Sequence, residues 1–138
     1  KFLKVMIVRN IYFERKEPLE MFEDERGKIL DIFYKDDIQH VAQIDSKPNI
    51  IRGNHYHKET TQHMLMISGS MEYWYKKFGS DEKPKMIHLK KGDLVSTPPF
   101  EIHTLKIGKD GNSFVVFSSG LRGGKDYESD TYRVDPII

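Results

Sequence analysis

The stretch RGNHYHKETTQHMLMISG, residues 52–69, places three of the chain's six histidines within nine residues. His55 and His57 stand one residue apart, between a glycine-containing turn and an apolar run. In a β-strand, residues two apart share a face, so both imidazoles project to one side and Tyr56 to the other. Gln62 opens the next apolar run after a short turn at KETT, and a hairpin there returns its amide beside the histidine pair. Gly69 is expected to end that second strand at the turn-like SGS. Such a stretch has three explanations: a metal site, a proton-transfer site, or a polar strand face with no chemistry.

Outward from this stretch the pattern stays of the β type. VMIVRNIYF, ERGKILDIFY, IQHVAQI, SMEYWYKKF, KMIHL, DLVSTPP, EIHTLKI and NSFVVFSSG are short apolar segments set off by turn signals. In IQHVAQI, Ile38, His40, Ala42 and Ile44 point one way, and Val41 and Gln43 the other. EPLEMFEDE holds one helical turn at most. About ten short strands with tight turns predict an all-β sandwich or closed barrel, whose interior can hold a small ligand. With 138 residues and neither a linker nor a repeat, the chain is expected to form one domain over 1–138.

Composition excludes several functions. Lysine plus arginine (22) and aspartate plus glutamate (21) leave a net charge of +1, so nucleic-acid binding driven by bulk charge is not expected. The lysine-rich KKFGSDEKPKMIHLKK reads as a solvated hairpin whose charges protect an edge. The absence of cysteine removes disulfides, thiolate zinc sites and cysteine nucleophiles, and fits a reducing compartment, with the cytoplasm as the expected location. No run approaches the ~20 apolar residues that span a bilayer, so no membrane partner is expected. KFLKVMIV reads as a first strand rather than a signal peptide.

A further histidine comes from KGDLVSTPPFEIH. Gly92 and Asp93 make a turn, Pro98 and Pro99 pin a bend, and His103 follows in a strand where Leu105 shares its face. Antiparallel packing can set His103 opposite the pair. His55, His57, His103 and the amide oxygen of Gln62 would then suit a divalent first-row metal. His63 is expected to face away from Gln62's side, while His40 and His88 have no motif context. Met64 and Met66 read as core. The glycine-rich GLRGG lacks a following helix signal, so no phosphate loop is expected there.

Gly53, His55, His57, Gln62 and Gly69 resemble the first cupin motif, and Gly92, Pro98 and His103 the second. The resemblance implies an antiparallel jelly-roll β-barrel, usually a homodimer. The chain departs from the pattern at Gln62, where a cupin usually carries glutamate, at Phe100 in place of glycine and at Ile107 in place of asparagine. A narrower resemblance rests on DERGKI (24–29), IIRGNHYHKE (50–59) and SDTYRV (129–134). These are similar to the C-terminal cupin domain of capsular polysaccharide synthesis proteins and to the dTDP-4-keto-6-deoxyhexose epimerases and 3,4-ketoisomerases.

That resemblance implies an isomerase that moves a proton next to the keto group of a dTDP- or UDP-linked sugar. His55 matches the base of the epimerases and His57 the base-like histidine of the ketoisomerases. His103 is expected to carry a second proton or orient the first. Arg26 and Arg52 are the candidates for the diphosphate, since guanidinium grips phosphate bidentately. Gln62 is expected to line the site, and Tyr73 or Tyr75 to return a proton or stack on the base. This chemistry requires no cofactor. Two alternatives stay open: a metal-dependent cupin enzyme using His55, His57, Gln62 and His103, with zinc a better fit than iron, and a non-catalytic nucleotide-sugar-binding module.

Overall fold

The apolar run that begins at Gln62 does not stop at Gly69. In the computed structural model, which describes residues 3–120, 126 and 128–138, it continues as one strand, Gln62–Lys77. The two runs on either side of residue 110 likewise fuse into Glu101–Ser118. Turn residues mislead here because a long strand can bend through glycine without ending. Gly69 has φ +74°, and a side chain on it would stand 2.2 Å from the Gly111 carbonyl oxygen, so the two long strands can cross only at glycine.

In chain order the strands among the described residues are β1 (Ile7–Asn10), β2 (Met21–Asp24), β3 (Gly27–Leu30), β4 (His40–Ser46), β5 (Ile51–Tyr56), β6 (Gln62–Lys77), β7 (Lys85–Leu89), β8 (Asp93–Thr97), β9 (Glu101–Ser118) and β10 (Tyr132–Arg133). Eight of them form one sheet, ordered β1-β8-β6-β9-β5-β10, with β4 added to β9 and β7 to β6; β2 and β3 form a separate hairpin. Every pairing is antiparallel. The first half of β6 pairs with β8 and the second half with β7. The early part of β9 pairs with β5 and the late part with β4. One continuous sheet thus folds over on itself as an all-β jelly-roll barrel, in agreement with the expected class.

The bend also decides which side chains face inward. The register between β6 and β9 shifts between Met66 and Ser68 and again between Gly69 and Met71. An extra residue in a bulge reverses the alternation of side chains. Gln62, Met64 and Met66 are buried before the bend, and Met71 and Tyr73 after it, so the inward set passes from even to odd numbers. Ile67, in the bulge, is left exposed.

Met64, Met66, Met71, Tyr73, Leu89, Val95, Leu105, Ile107, Phe114 and Val116 pack as the core between the two walls. Each such side chain contributes about 2 kcal/mol when withdrawn from water. Met64 and Met66 are therefore core, as their alternation implied. A smaller cluster of Ile11, Leu65 and Leu94 lies apart from it, with Phe33 and Phe117 packed against it. The lysine-rich segment forms the β6–β7 hairpin, as expected.

Candidate functional site

Strand pairing alone brings the histidines together. His55 on β5 stands directly opposite His103 on β9. Their ring centroids are 4.7 Å apart, and His57 lies 5.0 Å from His55 and 5.4 Å from His103. His57 and His103 are almost fully buried, whereas His55 is half-buried. The β5–β9 register shifts between Gly53 and His55, and Asn54 there has φ 59°. The Asn54 side-chain oxygen accepts a hydrogen bond from the Thr104 hydroxyl at 2.8 Å, which ties the irregular segment to β9.

The hydrogen bonds fix two of the three rings. His57 Nδ1 lies 2.7 Å from the carbonyl oxygen of Asp130, and His103 Nδ1 lies 3.1 Å from the carbonyl oxygen of Glu101. A carbonyl can only accept, so each Nδ1 carries the hydrogen and each neutral ring keeps its lone pair on Nε2.

A cavity of about 340 Å³ opens beside them, lined by His55, His103, Gln62, Arg52, Arg133 and Thr131 among others. Met64, Leu105, Phe114 and Val116 supply its apolar wall. The sequence-derived candidates therefore separate. His55, His103, Gln62 and Arg52 line the cavity, while His57 sits behind them. Arg52 Nε donates to the Ser46 hydroxyl at 2.8 Å, so its guanidinium is tethered beside the cavity. Arg26 lies elsewhere, on the β2–β3 hairpin, paired with Asp24 at 2.6 Å and largely exposed.

The two tyrosines do not line this cavity. Tyr75 lines a separate, lysine-flanked one of about 410 Å³. Tyr73 is fully buried, its ring parallel to that of His103 at 6.2 Å and within 3°. The bulge at Ile67 sets the facing of both, and the local sequence does not show it. The Tyr73 hydroxyl makes hydrogen bonds with Thr97 and, at 3.3 Å, with Glu101. Burial, followed by the Glu101 charge, pushes the Tyr73 phenol well above its ordinary range. Burial likewise raises the Glu101 carboxyl to about 7, although the Tyr73 hydrogen bond pulls the other way. This buried Glu101–Tyr73–Thr97 group was not found from sequence, since no spacing links its members.

The C-terminal segment was also missed as a source of site residues. Glu128, Thr131 and Arg133 all line the cavity, and Arg133 is ion-paired with Glu128. SDTYRV carried only a resemblance, with no local signal that it returns to β5. His63 faces outward as expected: its Nδ1 lies 2.7 Å from the Ser96 hydroxyl, and Phe33 packs edge-on against its ring. Of GLRGG, residues 121–124 lie outside the described residues.

The donor set fits a divalent cation. One ligand nitrogen from each of His55, His57 and His103 lies within 4.8 Å of the other two. The Gln62 side-chain oxygen is buried and has no hydrogen-bond partner among the described residues. Carbonyls behind Nδ1 of His57 and His103 provide the outer hydrogen bonds that orient imidazole ligands on metals.

A histidine cluster inside a jelly-roll barrel, with a cavity on one side, is the arrangement that the resemblance to the cupin motifs implies. Residues 22–131 match the polysaccharide biosynthesis C-terminal domain, and the chain belongs to that family. Among solved structures it is similar to the 3,4-ketoisomerase QdtA from Thermoanaerobacterium thermosaccharolyticum, in complex with TDP-4-keto-6-deoxyglucose. That match has 21% identity and a TM-score of 0.72, covering 96% of this chain and 89% of that one. It is also similar to the TDP-quinovose 3,4-ketoisomerase WlaRB from Campylobacter jejuni, at 20% identity and TM-score 0.73, covering 96% and 95%. The capsular polysaccharide assembling protein CapF from Staphylococcus aureus matches at 22% identity and TM-score 0.63, over 88% of this chain but 34% of CapF. No curated protein matches the chain.

Proposed function

We propose that this protein is an epimerase or isomerase that moves a proton beside the keto group of an NDP-4-keto-6-deoxyhexose, in deoxysugar synthesis for a surface polysaccharide. The observation that carries the reading is the triangle of His55, His57 and His103 at the edge of a cavity flanked by Arg52 and Arg133. The family, the TDP-4-keto-6-deoxyglucose complex of QdtA and the TDP-sugar ketoisomerase activity named for WlaRB support the substrate class.

The chemistry follows from the keto group, which acidifies the C–H bonds on both adjacent carbons. His55, the half-buried member facing the cavity, takes the proton while the electron pair moves into the carbonyl. An imidazole does this near neutral pH without much tuning. The enolate oxygen needs a hydrogen-bond donor, and the side-chain amide of Gln62 on the cavity wall would supply one. Returning the proton to the other face gives an epimer, and returning it to the former carbonyl carbon after enediol formation gives a ketoisomer. The two cavity arginines would bind the diphosphate. If the site holds a divalent ion, His55, His57, His103 and the Gln62 oxygen would be its ligands, and it would supply Lewis acidity toward the sugar oxygens. The buried Gln62 oxygen, without a hydrogen-bond partner among the described residues, is compatible with that form, in which a group other than His55 would have to serve as base.

We further propose a cytoplasmic homodimer. Among the described residues no strand pairs with the outer edges of the β2–β3 hairpin, and Phe22 and Ile29, opposite each other in register, are both exposed. A second copy covering this hairpin would shield them.

The deciding experiment incubates the protein with TDP- and UDP-4-keto-6-deoxyglucose in heavy water and follows the sugar by NMR. Deuterium at C3 or C5 is the expected result. Sugar recovered unlabelled from both nucleotides, despite measurable binding, would leave a nucleotide-sugar-binding module in its place.

A further inference from the structure

In the turn that carries His57 away from β5, four successive residues converge on one residue from the far end of the chain, Asp130. The backbone N–H of Lys58 donates to Asp130 Oδ1 at 2.9 Å. Those of Glu59 and Thr60 donate to Oδ2, each at 2.9 Å. The Asp130 main-chain oxygen accepts the Nδ1–H of His57 at 2.7 Å. Four consecutive residues, 57–60, thus direct a donor at Asp130. Thr60 is almost fully buried, so water cannot readily replace the carboxylate there.

The neighbouring residues fix the segment on either side of Asp130. Tyr132 pairs with Tyr56 across β10 and β5, and their rings stack at 5.5 Å and 24°. The Lys58 ammonium lies 4.2 Å over the Tyr132 ring. Val134 N–H donates to the Asn54 carbonyl at 2.9 Å. From the opposite side, the Phe100 N–H donates to the His57 carbonyl at 2.7 Å. The carboxylate pins the Asp130 backbone, and the pinned carbonyl then determines which nitrogen of His57 bears the hydrogen.

We propose that Asp130 is a positioning residue of the active site, acting through His57: it locks the imidazole as the Nδ1–H tautomer and holds its Nε2 lone pair toward the His55–His103 pair. The consequence for turnover rests on the proposed function; the consequence for the tautomer does not. The same segment contributes Glu128, Thr131 and Arg133 to the cavity wall, so it joins the position of His57 to the shape of the cavity. Outer hydrogen bonds of this kind work by fixing orientation, and their loss costs roughly 10–100-fold.

The test uses long-range ¹H–¹⁵N spectra of the histidine rings at neutral pH, together with steady-state kinetics. The wild-type protein should show His57 as the Nδ1–H form alone. Asp130→Ala removes the carboxylate to which the 58–60 amides donate and should give mixed tautomers for His57, with the amide fingerprint of the barrel retained. Its kcat should fall about tenfold or more while KM stays within a few-fold. Asp130→Asn turns one acceptor toward the 58–60 amides into a donor and should produce the same change in smaller measure. An Asn variant with an unchanged His57 tautomer overturns the proposal, whether or not the Ala variant folds. A changed tautomer beside unchanged kcat also overturns it, because the contact would then be structural only. A wild-type protein inert toward keto sugars would instead sink the functional reading, and the spectra would still judge Asp130.

Discussion

Gly53 presses against the main chain of His103: a methyl group on its α-carbon would stand 2.6 Å from the His103 carbonyl oxygen and 3.3 Å from the α-carbon of Thr104. Its φ of +95° is also one that side chains resist. Backbone cannot rotate aside as a side chain can, so Gly53→Ala must push β5 away from β9 just where His55 faces His103. The expected cost is about 2–4 kcal/mol of stability, with activity lost beyond what the fall in Tm explains. A variant with native Tm and native turnover would show that the close approach has no role.

His55, His57 and His103 should be separable by kinetics. His55→Asn, at the cavity, should lower solvent-deuterium exchange by about 10²–10⁴-fold with little change in Tm. His103→Asn removes a buried ring stacked on Tyr73 and should reduce both exchange and stability. His57→Asn should lower kcat more than it raises KM, since His57 does not line the cavity. Equal effects on KM from all three would contradict these separate placements.

Changing Gln62 to glutamate tests the cation-binding capacity of the cluster. A carboxylate would neutralise charge that the amide cannot, and Gln62→Glu should tighten zinc binding by roughly an order of magnitude or more. Calorimetric titration of chelator-treated protein measures it. Equal affinity for both proteins would mean that the side chain at 62 does not reach the ion.

Two buried groups give stability opposite dependences on pH. Burial holds His63 down to about 4 from an ordinary 6.5. The unfolded chain therefore takes up a proton first as pH falls, and stability drops from about pH 6.5 to pH 4. Glu101 is raised to about 7 from 4.5. The folded state holds that proton longer, so its contribution is full below about pH 4.5 and is lost as pH rises to about 7. Each effect is on the order of 3 kcal/mol. Denaturant unfolding from pH 4 to 7 should show stability rising with pH in Glu101→Gln and falling in His63→Gln. Parallel profiles in the two variants would disprove the assignment.

Much of the barrel was legible because β-structure writes a period of two into the chain. The alternation in 38–44 and the separation of Tyr56 from His55 and His57 follow from that period alone. The strand ends were less legible. Gly69 resembles a terminator, yet it serves as the point where two strands cross, a role set by Gly111 on a distant segment. The facing of Tyr73 and Tyr75 was hidden for the same reason, since a bulge reverses the alternation without changing the apolar pattern.

By itself the sequence determined an all-β chain with two histidines on one strand face and a third on a later strand, because neighbouring residues and turn chemistry set strand faces locally. Only the tertiary structure decided that His57 sits behind His55, that Arg26 lies away from the cavity while Arg133 lines it, and that Asp130 holds the 57–60 turn. Those relations depend on which distant backbone segments come to share hydrogen bonds, and that is settled by closing the barrel.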